Sequence, residues 1–567
     1  MFGLISLHPK IEKTNLVNYL FVTMNKKDLY VGNGLSLWDE HQYEHFQRVC
    51  KILHKNTFYV DQSLLGTGKS YIALAICITY GLPLFVICPV AVMNMWKTLS
   101  EKYNIIMIDN LSYSMLQGKG KKVNHPYLFK REKNEVITYH ASEKFQSMCN
   151  DGLMLVIDEA SMIKNASNQN RSVQALCDAV IQSGNSRVAF LSASLIDKIP
   201  MALEILRVIG YYGKKSDKIY SYNVGTRTMD YSGYKEIVEN CSRLDPKKTD
   251  EWKLLYLPEF SMGQTNPGML KMIHTNVYYL FKNVVLEHCA SSMPDPDLPA
   301  DMKNGFYWIY NEKMRELAAQ ASDNICRASG YTSKNSEIHL KQNSWNIITT
   351  SLQMYEKALL EVCVRETLLW TVQNPHGKVV IFAHYTESLL MLHQQLQHLG
   401  AQLYYGEISK ENRTIAEDRF QNDPSCRVFI GNMACSAMGI NLHDISKKGN
   451  EKRLELLLPT YKLMDIYQAS GRVRRRGMTS EATVRIVYAE NAPLASVIDA
   501  ICRKSNVLSD INDRPTLKKR RIYPGDFENE VKGLDFVYQE ECVKKFIERQ
   551  TKMSFQEIYQ RYKMEKS

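Results

Sequence analysis

The pentapeptide Gly66-Thr67-Gly68-Lys69-Ser70 is the pattern in this chain best suited to chemistry. It follows a strand-like run, residues 57–64, and opens a helix-like run, residues 71–80. That is the context in which a glycine-rich loop cradles phosphates. Backbone N–H groups and the helix N-terminus would face the phosphates, Gly66 and Gly68 would allow close approach, and Lys69 would neutralise the β/γ oxygens. The Ser70 hydroxyl would hold Mg²⁺. The nucleotide-binding segment is thus expected to comprise Ser63, Leu64, Leu65, Gly66, Thr67, Gly68, Lys69 and Ser70. A Gly-Lys-Ser turn also arises by chance, so the pentapeptide needs a second signal.

Leu-Met-Leu-Val-Ile-Asp-Glu-Ala at 153–160 supplies it. A buried strand that ends in adjacent carboxylates lets Asp158 anchor a Mg²⁺ shell while Glu159 polarises an attacking water. An Asp-Glu pair after a strand is often only a solvated turn. Downstream of a phosphate loop the two patterns support each other. A third pattern, Gln-Ala-Ser-Gly-Arg-Val-Arg-Arg-Arg-Gly at 468–477, crowds four arginines into a few residues. It reads either as a solvated or nucleic-acid-binding face, or as guanidinium groups delivered to a γ-phosphate, as an arginine finger is. Under the second reading Arg472 and Arg475 are the expected catalytic groups. Arg474 and Arg476 are then expected to face solvent or nucleic acid.

Two α/β stretches must position these residues. In about 35–210 the strand candidates are 57–64, 82–89, 105–109, 135–140, 153–158 and 187–194. In about 350–510 they are 378–384, 402–406, 426–431, 455–459 and 483–489. Buried strands alternating with helical patterns are the signature of a parallel sheet. Residues 211–349 are rich in Tyr, Lys, Asn and Pro and read as a mainly helical insertion, after an N-terminal extension, 1–34. The tail, 511–567, holds the basic run 518–521 and two helical stretches, 531–552 and 554–563. A ligand cleft is expected between the two lobes.

The chain has 567 residues, 45% hydrophobic and 23% charged, an ordinary globular composition. Its net charge of +11 is compatible with a polyanionic partner. The 13 cysteines are scattered, with no C-x-x-C spacing, which points to a reducing intracellular compartment and no structural metal. No apolar run is long enough to span a bilayer, which excludes a membrane-spanning helix. The N-terminus lacks the charge pattern and cleavage site of a secretory signal.

With these motifs in hand, the sequence resembles a superfamily 2 helicase or translocase. Val-Ile-Cys-Pro at 86–89, with Trp96, is similar to motif Ia. Asp-Glu-Ala-Ser-Met-Ile-Lys-Asn at 158–165 resembles the form found in chromatin-remodelling and poxvirus-type NTPases. Leu-Ser-Ala-Ser at 191–194 stands where the family links nucleotide state to lobe movement. Ile-Phe-Ala-His-Tyr at 381–385 resembles motif IV, Ala-Met-Gly-Ile-Asn-Leu at 437–442 resembles motif V, and 456–477 resembles the run into motif VI. The departures are Ser63, Ser161, Ser194 and Ala437, none of which removes a charged catalytic group.

The resemblance implies two RecA-like parallel-sheet lobes in tandem, with ATP and Mg²⁺ between them. Lys69, Asp158, Glu159, Arg472 and Arg475 would act on the nucleotide, Ser70 and Asp158 on the metal. Gln42 stands where such families contact adenine, and Gly439 and Gln468 would join the nucleotide site. DNA or RNA would be gripped through its backbone, with Pro89, Trp96, His384, Tyr385 and Asn441 as candidates. The expected function is an ATP-dependent helicase or translocase in transcription, replication or genome handling. The alternative is a catalytically weak nucleic-acid-binding subunit of a transcription or packaging complex, against which the intact charged residues argue. The compact motif set resembles helicases of large cytoplasmic DNA viruses. That places the chain in the cytoplasm, the nucleus, a viral factory or a virion.

Overall fold

The structure is a computed structural model. It describes residues 30–512 apart from 38–39, 120–121, 134–135, 194, 224–225, 227, 256, 258–266, 295–297, 330–343, 437–439 and 493. The expectations for Ser194, Ala437 and Gly439, and for the basic run and helices of the tail, lie outside the described residues.

Three small hairpins pair antiparallel: β1 (Tyr30–Gly32) with β2 (Leu35–Ser36), β6 (Leu128–Lys133) with β7 (Val136–Ala141), and β10 (Ser221–Asn223) with β11 (Thr228–Asp230). The remaining strands build two six-stranded, wholly parallel sheets. The first comprises β3 (Phe58–Asp61), β4 (Leu84–Cys88), β5 (Met107–Ser112), β8 (Met154–Asp158), β9 (Arg187–Leu191) and β12 (Ala290–Ser291). Its order is β12-β3-β9-β8-β4-β5. The second comprises β13 (Ala300–Tyr307), β14 (Lys378–Ala383), β15 (Gln402–Tyr404), β16 (Val428–Asn432), β17 (Arg453–Leu457) and β18 (Ala482–Ala489). Its order is β13-β18-β17-β14-β16-β15.

Both faces of the first sheet are covered, which is why its strands read as continuous apolar runs. Phe85, Ile87, Leu155, Ile157 and Phe190 enter one core, while Leu84, Val86, Val156, Ala189 and Leu191 enter the other. The helix after the phosphate loop, Lys69–Tyr80, buries Ile72 through Cys77 against that second core. It ends on Gly81, whose φ of 63° suits a glycine C-cap. The second lobe has one large core, against which Leu64 and Leu65 of the phosphate loop also pack. The lobes therefore touch at the loop itself.

One expectation needs correction. The strand expected at 135–140 does not join the parallel sheet; it is one arm of the β6–β7 hairpin, because alternation of Ile137, Tyr139 and Ala141 with polar residues marks a half-solvated strand. The stretch 211–349 is largely helical, as at Ser232–Leu244, Pro267–Leu280 and Glu312–Ser329. It also supplies an edge strand to each sheet, β12 to the first and β13 to the second. Edge strands carry charge more readily than central ones, and β13 pairs Asp301 with Arg485 of β18 at 2.7 Å.

Candidate active site

The phosphate loop leaves β3 at Asp61, a fully buried carboxylate. His45 Nε2 lies 2.9 Å from its Oδ2, and its Oδ1 accepts from the Ser63 N–H at 2.9 Å. Burial raises the pKa of this carboxyl, but His45 and Lys69 more than offset that and hold it below the carboxylate norm. The loop is tied to the distant edge strand as well. Ser63 Oγ accepts from the Met293 N–H at 2.9 Å, and His45 Nδ1 lies 3.0 Å from Ser291 Oγ. Ser63, the departure from the usual loop glycine, is thus an anchor for β12.

Lys69 Nζ donates to the carbonyls of Ser63 and Leu64, each at 3.0 Å, so the ammonium lies within the curve of its own loop. Gly66 and Gly68 have φ of 74° and 99°, left-handed values that glycine adopts without strain. Gln42 is buried, and its amide donates to the Thr67 carbonyl at 2.8 Å. A Cβ on Gly68 would stand 2.5 Å from that amide nitrogen, so the close approach of Gln42 requires a glycine there.

Opposite the loop, β8 ends in Asp158 and Glu159. Asp158 Oδ2 accepts from Trp96 Nε1 at 2.8 Å, and its Oδ1 accepts from the Glu159 N–H at 3.0 Å. Trp96 is fully buried. This corrects its expected place on a nucleic-acid surface: the indole holds the acidic pair from behind. Glu159 has φ 54° and ψ 52°. A left-handed non-glycine residue costs on the order of 1–3 kcal/mol and marks a backbone held for a purpose. Burial pushes both carboxyls upward, Asp158 adds to this at Glu159, and Lys69 opposes it at both.

The second lobe closes the site. Gln468 Nε2 donates to Glu159 Oε2 at 3.1 Å, across the lobe boundary. Arg472 is buried and donates to the carbonyls of Gln468 and Ile440 at 3.0 and 3.2 Å. Burial pulls its pKa down to about 10, although the nearby Glu159, Glu455 and Glu417 oppose the fall. Arg475 donates to the Gly471 carbonyl at 3.0 Å and to Asn441 Oδ1. Burial and the neighbouring Arg472 pull its pKa down to about 9. Its Cγ stands 3.2 Å from where a Cβ on Gly66 would be, so the Arg475 stem lies directly on the phosphate loop. Arg474 does not face solvent as expected. Its guanidinium turns into the second lobe, with Nη1 at 3.1 Å from Met302 Sδ.

Of the other nucleic-acid candidates, Asn441 faces Arg475 and donates its N–H to Glu417 Oε1 at 3.0 Å. Pro89 is buried, and the backbone N–H groups of His384 and Tyr385 are held by Glu356 at 2.9 and 3.1 Å. The sequence reading missed Glu417, which faces both arginines, because a Glu within the charged helix Lys410–Asn422 carries no distinguishing signal. It also missed His45, whose role depends on a partner brought near only by folding.

Residues 359–477 match the helicase conserved C-terminal domain family. A protein of Acanthamoeba polyphaga mimivirus that is named as an ATP-dependent RNA helicase is 24% identical over 498 residues, covering 83% of each chain. The chain is thus similar to helicase-type proteins. Two solved Sulfolobus solfataricus SWI2/SNF2 ATPase cores are also similar. The one in complex with dsDNA has a TM-score of 0.29 and 14% identity, covering 82% of this chain and 90% of that one. The core without DNA has a TM-score of 0.28 and 15% identity, covering 88% and 98%. Those scores add nothing to the strand order, which by itself gives two tandem parallel-sheet lobes.

The donor groups at this site are of the kind that suit Mg²⁺ with ATP. One buried carboxylate, Asp158, and one hydroxyl, Ser70, would leave most of an octahedral shell to water and phosphate oxygens, as Mg²⁺ prefers. Among the described residues there is no cluster of three or more His, Cys, Asp or Glu side chains that would form an all-protein metal site.

Proposed function

We propose that this protein is an ATP-dependent nucleic-acid helicase or translocase that hydrolyses ATP between its two lobes. The observation that carries this reading is the bond from Gln468 to Glu159, with the Arg475 stem lying on Gly66. One contact joins the arginine motif to the acidic pair, the other to the phosphate loop. Lys69 would exchange its two loop carbonyls for phosphate oxygens. Bound Mg²⁺ would neutralise charge on the phosphates, held by Asp158 and Ser70. Glu159, steered by Gln468, would orient the attacking water and accept its proton. Arg472 and Arg475 would stabilise the charge that develops on the phosphoryl oxygens. Gln42 would meet the base beside Gly68.

Opening and closing of this inter-lobe contact would move a nucleic-acid strand held by its phosphates. The mimivirus relative, named as an RNA helicase, supports RNA as one substrate to test, with DNA as the other, in transcription, replication or genome handling. The test is ATP turnover by the full chain and by Lys69→Ala, each with single- and double-stranded DNA and RNA as separate stimulants. Turnover by the wild-type chain should rise with at least one nucleic acid, and Lys69→Ala should lower it by orders of magnitude at unchanged melting temperature. Near-normal turnover in folded Lys69→Ala would overturn the assignment.

A further inference from the structure

The β6–β7 hairpin is inserted between β5 and β8 of the first lobe, apart from the nucleotide site. Its register sets Phe129 opposite His140 and Arg131 opposite Thr138, on the same face. The other face points inward: Leu128 and Tyr139 are buried in the first-lobe core. The outward face forms one slab. The Phe129 and His140 rings stack with centroids 5.3 Å apart and planes 23° from parallel. The Arg131 guanidinium lies 5.1 Å from the Phe129 ring centre, and Thr138 Oγ1 lies 3.0 Å from His140 Nε2.

This slab is exposed where a soluble domain has no packing use for it. Phe129 keeps 37% of its surface in solvent and Arg131 beside it is exposed, as are Lys119 and Lys122 in the segment that precedes the hairpin. Residues 118–144 contain seven Lys and Arg against three Glu, a local surplus of cations. A flat aromatic face with a stacked guanidinium, set among cations, is the chemistry that receives an unstacked base and its phosphate. Bases within a duplex already stack on each other and present no free face to such a ring. Cross-strand aromatic pairs can also simply stabilise a hairpin, but that role does not require the exposed ring or the cations.

We propose that the outer face of this hairpin, Phe129, Arg131 and His140, is a stacking platform for a base of a single nucleic-acid strand. The proposal rests on the nucleic-acid reading above and adds a site outside the helicase motifs. The hairpin is linked to the acidic pair through a short intervening helix. Tyr139 Oη donates to the Gln117 carbonyl at 3.0 Å, at the end of the helix Tyr113–Gln117, and Tyr113 Oη donates to the Asp158 carbonyl at 2.7 Å. Strand capture there would occur on an element physically joined to the nucleotide site.

The test is fluorescence anisotropy of a labelled single-stranded oligothymidylate and of a labelled duplex, titrated with the full-length protein. Loss of one base stack should weaken single-strand binding of Phe129→Ala by about 5- to 100-fold, with duplex affinity and nucleic-acid-free ATP turnover unchanged. Phe129→Trp should keep the affinity, and its added emission should be quenched by the strand. Arg131→Glu should flatten the salt dependence, since each lost phosphate contact lowers the single-strand slope by about 0.7. Wild-type affinity in Phe129→Ala, or equal loss for strand and duplex, would overturn the platform alone. A wild-type chain that binds neither nucleic acid would overturn the platform together with the proposed function.

Discussion

Gln468 and Glu159 belong to different lobes and are joined by a hydrogen bond of 3.1 Å, with the Gln468 amide donating. Glu159 is held in a left-handed conformation at the end of β8, and Gln468 lies on the helix Leu463–Ser470 that leads into the arginines. The bond makes the orientation of one carboxylate depend on the position of the other lobe. A carboxylate that orients water only when the lobes meet would couple hydrolysis to lobe movement.

Glu159→Gln separates binding from chemistry. The amide has the shape of the carboxylate and can still meet Gln468, but it cannot accept a proton from water. Turnover should fall by about 10²- to 10⁴-fold, the usual contribution of a general base. Nucleotide affinity should stay near wild type, as read with a fluorescent ATP analogue. Normal turnover would place the base elsewhere.

Trp96→Phe tests the indole behind Asp158. Phenylalanine keeps the buried ring but loses the N–H that donates to Asp158 Oδ2. Groups that orient a metal-binding carboxylate typically contribute 10- to 100-fold in metal affinity or activity. The Mg²⁺ concentration for half-maximal turnover should therefore rise about that much, with little change in the saturated rate. An unchanged Mg²⁺ requirement would make Trp96 a packing residue only.

The two sheets were legible because their central strands are buried on both faces and stand out as apolar runs. Lys69, Asp158 and Glu159 could be singled out as candidates because short segments carry them. The edge strands were not. Ala290–Ser291 is too short for a pattern, and Ala300–Tyr307 mixes Asp301, Lys303 and Asn304 with Phe306. His45 and Glu417, which escaped notice, and Trp96, which was assigned to the strand, act through partners 16, 24 and 62 positions away. Their meaning exists only after folding. Arg474 was misread because a charge run says nothing about which member turns inward.

Glu356 gives a prediction about pH. Its carboxylate accepts from the N–H groups of His384 and Tyr385, at the start of the helix Thr386–Leu396. Burial pushes it from an ordinary 4.5 to about 7, although these bonds and Ser388 oppose the rise. The folded chain therefore keeps a proton that the unfolded chain loses, and stability should decline as pH rises from about 4.5 to about 7, then level off. At 1.36 kcal/mol per unit, the decline from this group is about 3 kcal/mol. Glu356→Gln cannot titrate, so its stability should be flatter across that window, as read from urea melts at several pH values. Parallel curves would refute the assignment.

Arg475 decides whether the arginine motif serves the nucleotide. Its stem contacts the phosphate loop at Gly66, and its guanidinium is presented by Asn441 and the Gly471 carbonyl. Such a placement suits a planar donor that spreads its hydrogen bonds over phosphoryl oxygens as charge develops. Arginine fingers contribute about 10³- to 10⁵-fold in turnover where they act. Lysine retains the charge but not the planar fork. Arg475→Lys should therefore lose most of that factor, with ATP affinity and melting temperature near wild type. A nucleic-acid contact would behave in the opposite way, because lysine neutralises a backbone phosphate nearly as well as arginine. Single-strand affinity and its salt dependence should accordingly be unchanged in Arg475→Lys while turnover collapses. If turnover survives and strand affinity falls instead, Arg475 belongs to the strand and not to the nucleotide.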